Sequence, residues 1–223
     1  MVNNWYTIAI EKGNSAITHE IIEDAPLEEI DMPRPVTFDS ETVLERAMLL
    51  FWTHGYAGTS IQDLVEDTAL LRGSLYHTFG DKRSLYIQTL RRYGRLALRQ
   101  TISFWNPAET FLTNMRAALM VIVDMPVVEK RRGSMICNCI AEVVPHDPEI
   151  ANIVTELLNE VKEVFEAKLE DAKQTGELRA VANTSAFARY LVSSIQGLCM
   201  TAKADAPREE LMDIVEVTLS ALR

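Results

Sequence analysis

From residue 39 onward the chain repeats one pattern, apolar side chains three and four positions apart, broken at intervals by Gly, Pro or a short polar run. Asp39 or Ser40 can cap a helix on which Val43, Leu44, Ala47, Leu50 and Phe51 form the apolar stripe, and HGYAGTS at 54–60 ends it. Thr59 or Ser60 can then cap a short second helix, IQDLVEDTA at 61–69, with Ile61, Leu64 and Val65 on its inner side. After a break near Leu70 and Leu71 comes RGSLYHTF at 72–79. Leu75 and Phe79, four apart, should point inward, which leaves Arg72, Gly73, Ser74, Tyr76 and His77 on or near the opposite surface. Asp81 can cap a long helix reaching about Phe104. Five more helices are expected over 108–125, 131–144, 148–175, 184–204 and 207–222, with Pro107, Pro126, Pro145, Pro148, Gly176 and Pro207 at their ends. The pattern therefore predicts an all-α protein from residue 39 on.

The first 36 residues follow a different rule. WYTIAI and SAITHEII flank EKGN, which reads either as two short β-prone runs around a turn or as a loose tail that only partly orders. Pro33 and Pro35 in DMPRPVTFD make the exit from this stretch a linker, and no chemistry is assigned to it.

Charge sharpens this division. The 223 residues carry a formal net charge of -10, and 48% of them are hydrophobic, enough for one sizeable core or for a small domain joined to a larger one. Residues 1–36 hold two basic against seven acidic residues, 37–95 seven against seven, and 96–223 thirteen against eighteen. The basic and aromatic cluster of 68–86, with Arg72, Tyr76, His77, Lys82 and Arg83, thus sits in a segment of zero net charge. Net charge governs solubility and long-range steering, so such a segment can still dock on phosphates through one face. No run of about 18 apolar residues and no signal-peptide pattern occurs, which predicts a cytoplasmic protein with no membrane partner.

Enzyme chemistry finds no support in the motifs. A carboxylate-bridged metal site in a helical bundle needs paired Glu-x-x-His motifs, and none of the four histidines has a Glu three residues before it. There is no Gly-rich phosphate loop and no nucleophile elbow, so neither metal nor cofactor is expected. Cys137, Cys139 and Cys199 are too few for a disulfide framework and read as reduced thiols.

Two short helices joined by a tight turn, the second with a polar and aromatic outer face, make a helix-turn-helix whose second helix suits the DNA major groove. The stretch AMLLFWTHGYAGTSIQDLVEDTALLRGSLYHTFGDKRSLYIQTL resembles the DNA-binding domain of the tetracycline-repressor (TetR) family, through the Ala and Phe of the first helix, the GY…TS turn and GSLYHTFGDKRSLY. Beyond the acidic extension at 1–36 that the charge count sets apart, the resemblance implies a helix-turn-helix DNA-binding domain at 37–95 and a helical ligand-binding and dimerisation domain at 96–223. It also implies that Arg72 and Ser74 reach base edges and that Gly73 lets the helix approach closely. Tyr76 and His77 would touch phosphate or a thymine methyl, and Lys82 and Thr59 would hold phosphates. Plainer roles stay open beside these: Thr59 as a cap, Tyr76 as a half-buried ring, His77 and Lys82 as solvated groups. The chain departs from the family pattern in carrying Leu70 and Leu71 just before the third helix, where a small or polar residue is usual, and an acidic leader in place of a basic arm.

In such folds a pocket lies among the middle helices, and Trp105, Phe111, Met115, Met135, Cys139, Phe165 and Cys199 are the expected lining, each of which could equally be plain core. Cys137 and Cys139 stand about 200° apart around a helix, so at most one should face the interior. Some relatives sense electrophiles through a cysteine, whereas a buried free cysteine is usually an inert small hydrophobe. The family's last two helices pair with those of a second subunit, and Gly197, with Ser193 one turn earlier, would allow close approach there; packing within one chain is the alternative. The implied function is a dimeric, sequence-specific DNA-binding transcriptional regulator, a repressor released from a palindromic operator in double-stranded DNA by a small-molecule effector. The alternative is a helical protein-interaction module without specific DNA binding.

Overall fold

The computed structural model describes residues 39–178 and 183–222. The expected turn and linker of residues 1–36 lie outside that range. The described residues form ten α-helices and one short 3-10 turn, with no strand. Helix α1 (Ser40–His54) starts where the Asp39 carboxylate accepts the N–H groups of Glu41 at 3.1 Å and Thr42 at 3.3 Å. It stops at Gly55, whose φ of 78° strains any residue with a Cβ.

Helix α2 (Ile61–Thr68) is capped by Ser60 rather than Thr59. Asp63 N–H donates to Ser60 Oγ at 3.1 Å while Ser60 N–H donates to Asp63 Oδ2 at 2.7 Å, a reciprocal capping box. Helix α3 (Arg72–Phe79) begins without any side-chain cap: Leu71 occupies that position and is 77% exposed, while Leu70 is buried. The two leucines thus divide the break, one anchoring it in the core and one standing in solvent. Helix α4 (Lys82–Ser103) is capped by Asp81, which accepts Ser84 N–H at 2.7 Å.

The rest of the chain forms α5 (Phe111–Val123), α6 (Val127–Arg132), α7 (Met135–Glu142), a 3-10 turn (Val144–His146), α8 (Pro148–Gln174), α9 (Thr184–Lys203) and α10 (Arg208–Ser220). Where one helix was expected over 131–144 there are two. Gly133, at φ 69°, ends α6, and Ser134 restarts the helix by accepting Cys137 N–H at 3.4 Å. A Cβ at Gly133 would lie 2.7 Å from Lys203 Cδ, so the C-terminus of α9 packs directly against this break.

Burial gathers into two apolar clusters. The first joins α1–α4 (Phe51, Leu64, Leu75, Leu90) to α7 and the first half of α8 (Met135, Cys139, Ile150, Leu157). The second joins α5 (Phe111, Met115) to the second half of α8 (Phe165, Leu169), α9 (Leu191, Leu198) and α10 (Leu211, Val215). Burying a side chain of this size contributes roughly 1.5–3 kcal/mol. The core therefore does not part after Arg95: α7 and α8 are packed into the helix-turn-helix itself. Gly94 permits the closest part of this contact, since a Cβ there would lie 2.6 Å from Leu157 Cδ2. An aromatic set locks the head, with Phe51 edge-on to Tyr86 at 5.0 Å, Tyr56 against Tyr86 at 4.8 Å and Trp52 edge-on to Tyr93 at 5.1 Å. Among the described residues no single helix is long and apolar enough to cross a membrane.

Candidate nucleic-acid interface and adjoining cavity

Leu75 and Phe79 turn inward and are buried, which presents Arg72, Gly73, His77 and Thr78 to solvent with Ser74 and Tyr76 half-exposed beside them. The Arg72 guanidinium lies 5.6 Å from the centroid of the Tyr76 ring, one turn on, so the two groups form one outward-facing unit. Gly73 has nothing within 4 Å of where a Cβ would be. Glycine in a helix costs roughly 0.5–1 kcal/mol relative to alanine, and no contact within the described fold requires it here. Thr78, one turn after Ser74 on the same outward side, belongs to this surface although the sequence motif did not mark it.

Lys82 stands at the start of α4 with its ammonium 4.5 Å from the centroid of the Tyr56 ring. Partial burial pushes its pKa down, and the nearby carboxylates of Glu142 and Asp63 oppose that shift. The ring holds the cation in one place at the N-terminal end of a helix, where anions are also favoured by unpaired N–H groups. Arg83 is committed elsewhere: its Nε and Nη2 hold Asp147 at 2.7 and 2.9 Å and Nη2 holds Glu149 at 2.8 Å. That pairing, with Asp147 also accepting Ile150 N–H at 3.1 Å as the cap of α8, holds the Asp147 carboxyl at about 2. Arg92 is likewise paired with Glu41 and Glu45, and Arg46 donates to Asp67 O. On α3 and at the start of α4, Arg72 and Lys82 make no salt bridge among the described residues.

Thr59 does not share this surface. It is 0% exposed and its hydroxyl donates to Gly55 O at 2.7 Å, so its side chain stabilises the turn after α1 instead of reaching phosphate or capping α2.

That turn is held from the far side by Glu142, the last residue of α7. Tyr56 N–H donates to its Oε2 at 3.0 Å and Ala57 N–H to its Oε1 at 2.7 Å. A Cβ at Gly55 would lie 2.7 Å from the same carboxylate, so glycine is needed for the approach as well as for the positive φ. Sequence reasoning missed Glu142 because its partners are backbone groups 85 and 86 positions earlier in the chain.

The other end of α7 borders a cavity of about 150 Å³ at the seam between the two cores. Trp52, Tyr93 and Ile136 come to it from the first cluster, and Ile122, Phe165 and Ala202 from the second. Of the expected lining, Phe165 and Cys199 are on its wall; Trp105, Phe111, Met115, Met135 and Cys139 are not. Phe111, Met115, Met135 and Cys139 are buried in the cores, and Trp105 packs edge-on to Phe111 at 5.4 Å outside the cavity. Cys137 lines the cavity while Cys139 is buried against Tyr86. Both thiols therefore face the interior, against the expectation that at most one would, because α7 is sandwiched between the two cores and has no solvent side at these positions. Burial pushes the Cys137 and Cys139 thiols up and Cys199 up to about 12, which keeps all three protonated.

Ser193 and Gly197 lie on the outer face of α9, both exposed. Gly197 borders a shallow groove between α9 and α10 with Tyr190, Ile214 and Val217, the last 65% exposed. As at Gly73, nothing within 4 Å would meet a Cβ at Gly197. Among the described residues no group of three or more His, Cys, Asp or Glu side chains could hold a metal ion.

A helix-turn-helix whose outward helix presents Arg72, with Lys82 at the start of the next helix, joined through one core to a cavity-bearing helical body, defines a DNA-binding regulator. Comparison with known proteins places it further. Residues 43–89 match the model for bacterial regulatory proteins of the tetR family, and residues 112–216 match the tetracyclin repressor-like C-terminal domain. The chain is 33% identical over 195 residues to the HTH-type transcriptional regulator YezE of Bacillus subtilis (strain 168), covering 86% of this chain and 100% of that one. It is 30% identical over 193 residues to the HTH-type transcriptional repressor ComR of Escherichia coli (strain K12), covering 83% and 90%. A solved cysteine mutant of the TetR family regulator CifR, complexed with 26bp double-strand operator DNA, superposes with a TM-score of 0.70 at 27% identity, over 85% of this chain and 100% of that one. The protein belongs to the TetR family and is a sequence-specific DNA-binding transcriptional regulator.

Proposed function

We propose that this regulator is a dimeric repressor that docks α3 of each subunit in the major groove and leaves DNA when a small molecule occupies the cavity beside α7. The observation that carries the reading is the single apolar core shared by the helix-turn-helix, α7 and the start of α8. With no slack between head and body, a change in the cavity has to be transmitted. Two elements run from the cavity to the head. Helix α4 has Tyr93, Ala97 and Thr101 on the wall and Lys82 at the DNA end; α7 has Ser134, Ile136 and Cys137 on the wall and Glu142 on the turn after α1. A ligand that binds better when either helix is displaced shifts the population toward a head geometry that no longer fits the operator. ComR, a transcriptional repressor, and CifR, solved in complex with operator DNA, support the same reading by their similarity.

The DNA half is tested by mobility shift on the DNA upstream of the protein's own coding sequence. Lys82→Ala should weaken binding to all sequences and lower the salt slope by about one, whereas Arg72→Ala should cost about 1–3 kcal/mol and relax preference at one base position. Unchanged affinity and slope in Lys82→Ala would place the DNA on another face. A salt-insensitive, sequence-independent shift in the parent would favour a protein-interaction module.

A further inference from the structure

The cavity's polar groups are nearly all spoken for. The Trp52 indole N–H donates to Gly133 O at 2.9 Å and the Thr101 hydroxyl to Ala97 O at 2.9 Å. The Tyr93 hydroxyl is engaged by Ser134 and the Met135 backbone. Among the described residues, two lining groups have no partner: the ammonium of Lys130 on α6 and the amide of Gln196 on α9, two helices that pack together. Both can donate hydrogen bonds, and neither is fully exposed. No acidic residue lines the cavity, and its two thiols stay protonated, so nothing on the wall neutralises the Lys130 charge or repels an anion.

Size narrows the class. An apolar cavity near 150 Å³ holds about one benzene ring, and the remaining wall is aromatic and aliphatic. We infer that the effector is a compact apolar monocarboxylate, one ring or a comparable short chain, whose body fills the seam between the cores and whose carboxylate is held by Lys130 and Gln196. The inference rests on the cavity being the effector site.

Benzoate and its neutral isostere benzamide are the probes. Calorimetric titration of the full chain should give benzoate at least about a tenfold lower Kd than benzamide, since charge-assisted hydrogen bonds are roughly twice as strong as neutral ones. Lys130→Met should abolish that preference, Lys130→Arg should keep it, and Gln196→Leu should reduce it. Equal or tighter binding of benzamide, retained preference in Lys130→Met, or no binding of benzoate at millimolar concentration would overturn the assignment. The comparison of the two probes on the unmodified protein decides even if a variant does not fold. Mobility shifts on the same preparations keep the two readings apart. A protein that binds operator but not benzoate refutes the ligand class and leaves the regulator intact; one that binds benzoate selectively without loosening operator supports the class and refutes release from this cavity.

Discussion

Gly73 and Gly197 are helical glycines with open space where a Cβ would go, whereas Gly94 abuts Leu157 and Gly133 abuts Lys203. The latter two are explained inside the chain; the former two give up helix stability with no internal return. At Gly73 the outward surface is the proposed DNA face, which leads to a two-sided expectation for Gly73→Ala. Stability measured by urea unfolding should rise by about 0.5–1 kcal/mol, because alanine fits an open helical position and loses less chain entropy on folding. Operator affinity measured by mobility shift should fall, because the methyl stands between the helix and the groove. A variant both more stable and equally tight would remove the reason given for glycine.

Among helices, the sequence pattern missed α6 and the break at Gly133, while α7, inside the expected 131–144, is the helix whose contacts matter most. It is only Met135–Glu142, yet one end borders the cavity and the other fixes the turn between α1 and α2 through two amides. Hydrogen bonds to a charged acceptor contribute about 1.5–3 kcal/mol. Glu142→Ala should therefore destabilise the protein by an amount in that range and speed hydrogen exchange at the Tyr56 and Ala57 amides far more than at amides of α10. Glu142→Asp keeps the charge but shortens the reach and should show the same local effect. Uniform acceleration along the chain would mean that Glu142 supports global stability and no particular turn. Arg83 makes a parallel connection from α4 to the start of α8 through Asp147 and Glu149, so the head is tied to the body there as well as at Glu142.

At the scale of the whole molecule, one recognition helix reads too few base pairs to be selective, and a two-fold dimer reads a palindrome with half-sites on the order of 34–36 Å, or a multiple, apart. Tyr190, Gly197 and Val217 are exposed along α9 and α10, and we propose this face as the surface for that assembly. Replacing Gly197 by Arg adds a long charged side chain into open space, leaving the monomer's own packing untouched. Light scattering should then report monomers with an unchanged far-UV spectrum, and binding to a full operator should drop together with the dimer. Monomers that still bound the full site tightly would uncouple assembly from recognition.

Much of this was written locally along the chain. Periodicity and caps located most helices, and the inward turn of Leu75 and Phe79 set the outward face of α3 with Arg72, Tyr76 and His77, because helix geometry alone decides which side chains share a face. GSLYHTFGDKRSLY carried the family resemblance for the same reason: a docking helix and its flanking caps are contiguous. What spacing could not show depends on contacts between distant segments. Thr59 reads as an accessible hydroxyl until it is seen donating to Gly55 O, and Arg83 reads as one of the cluster's basic groups until Asp147 and Glu149 pair with it. Cys137 and Cys139 lie on opposite sides of one helix, which spacing gives, but only the presence of a core on each side buries both. The cavity is the clearest case. Trp52, Lys130, Phe165 and Gln196 lie far apart in sequence on helices that the periodic pattern treats as independent. A periodic stripe marks a residue as inward-facing without saying whether it meets another side chain or an empty space, and that difference is settled only when the helices pack.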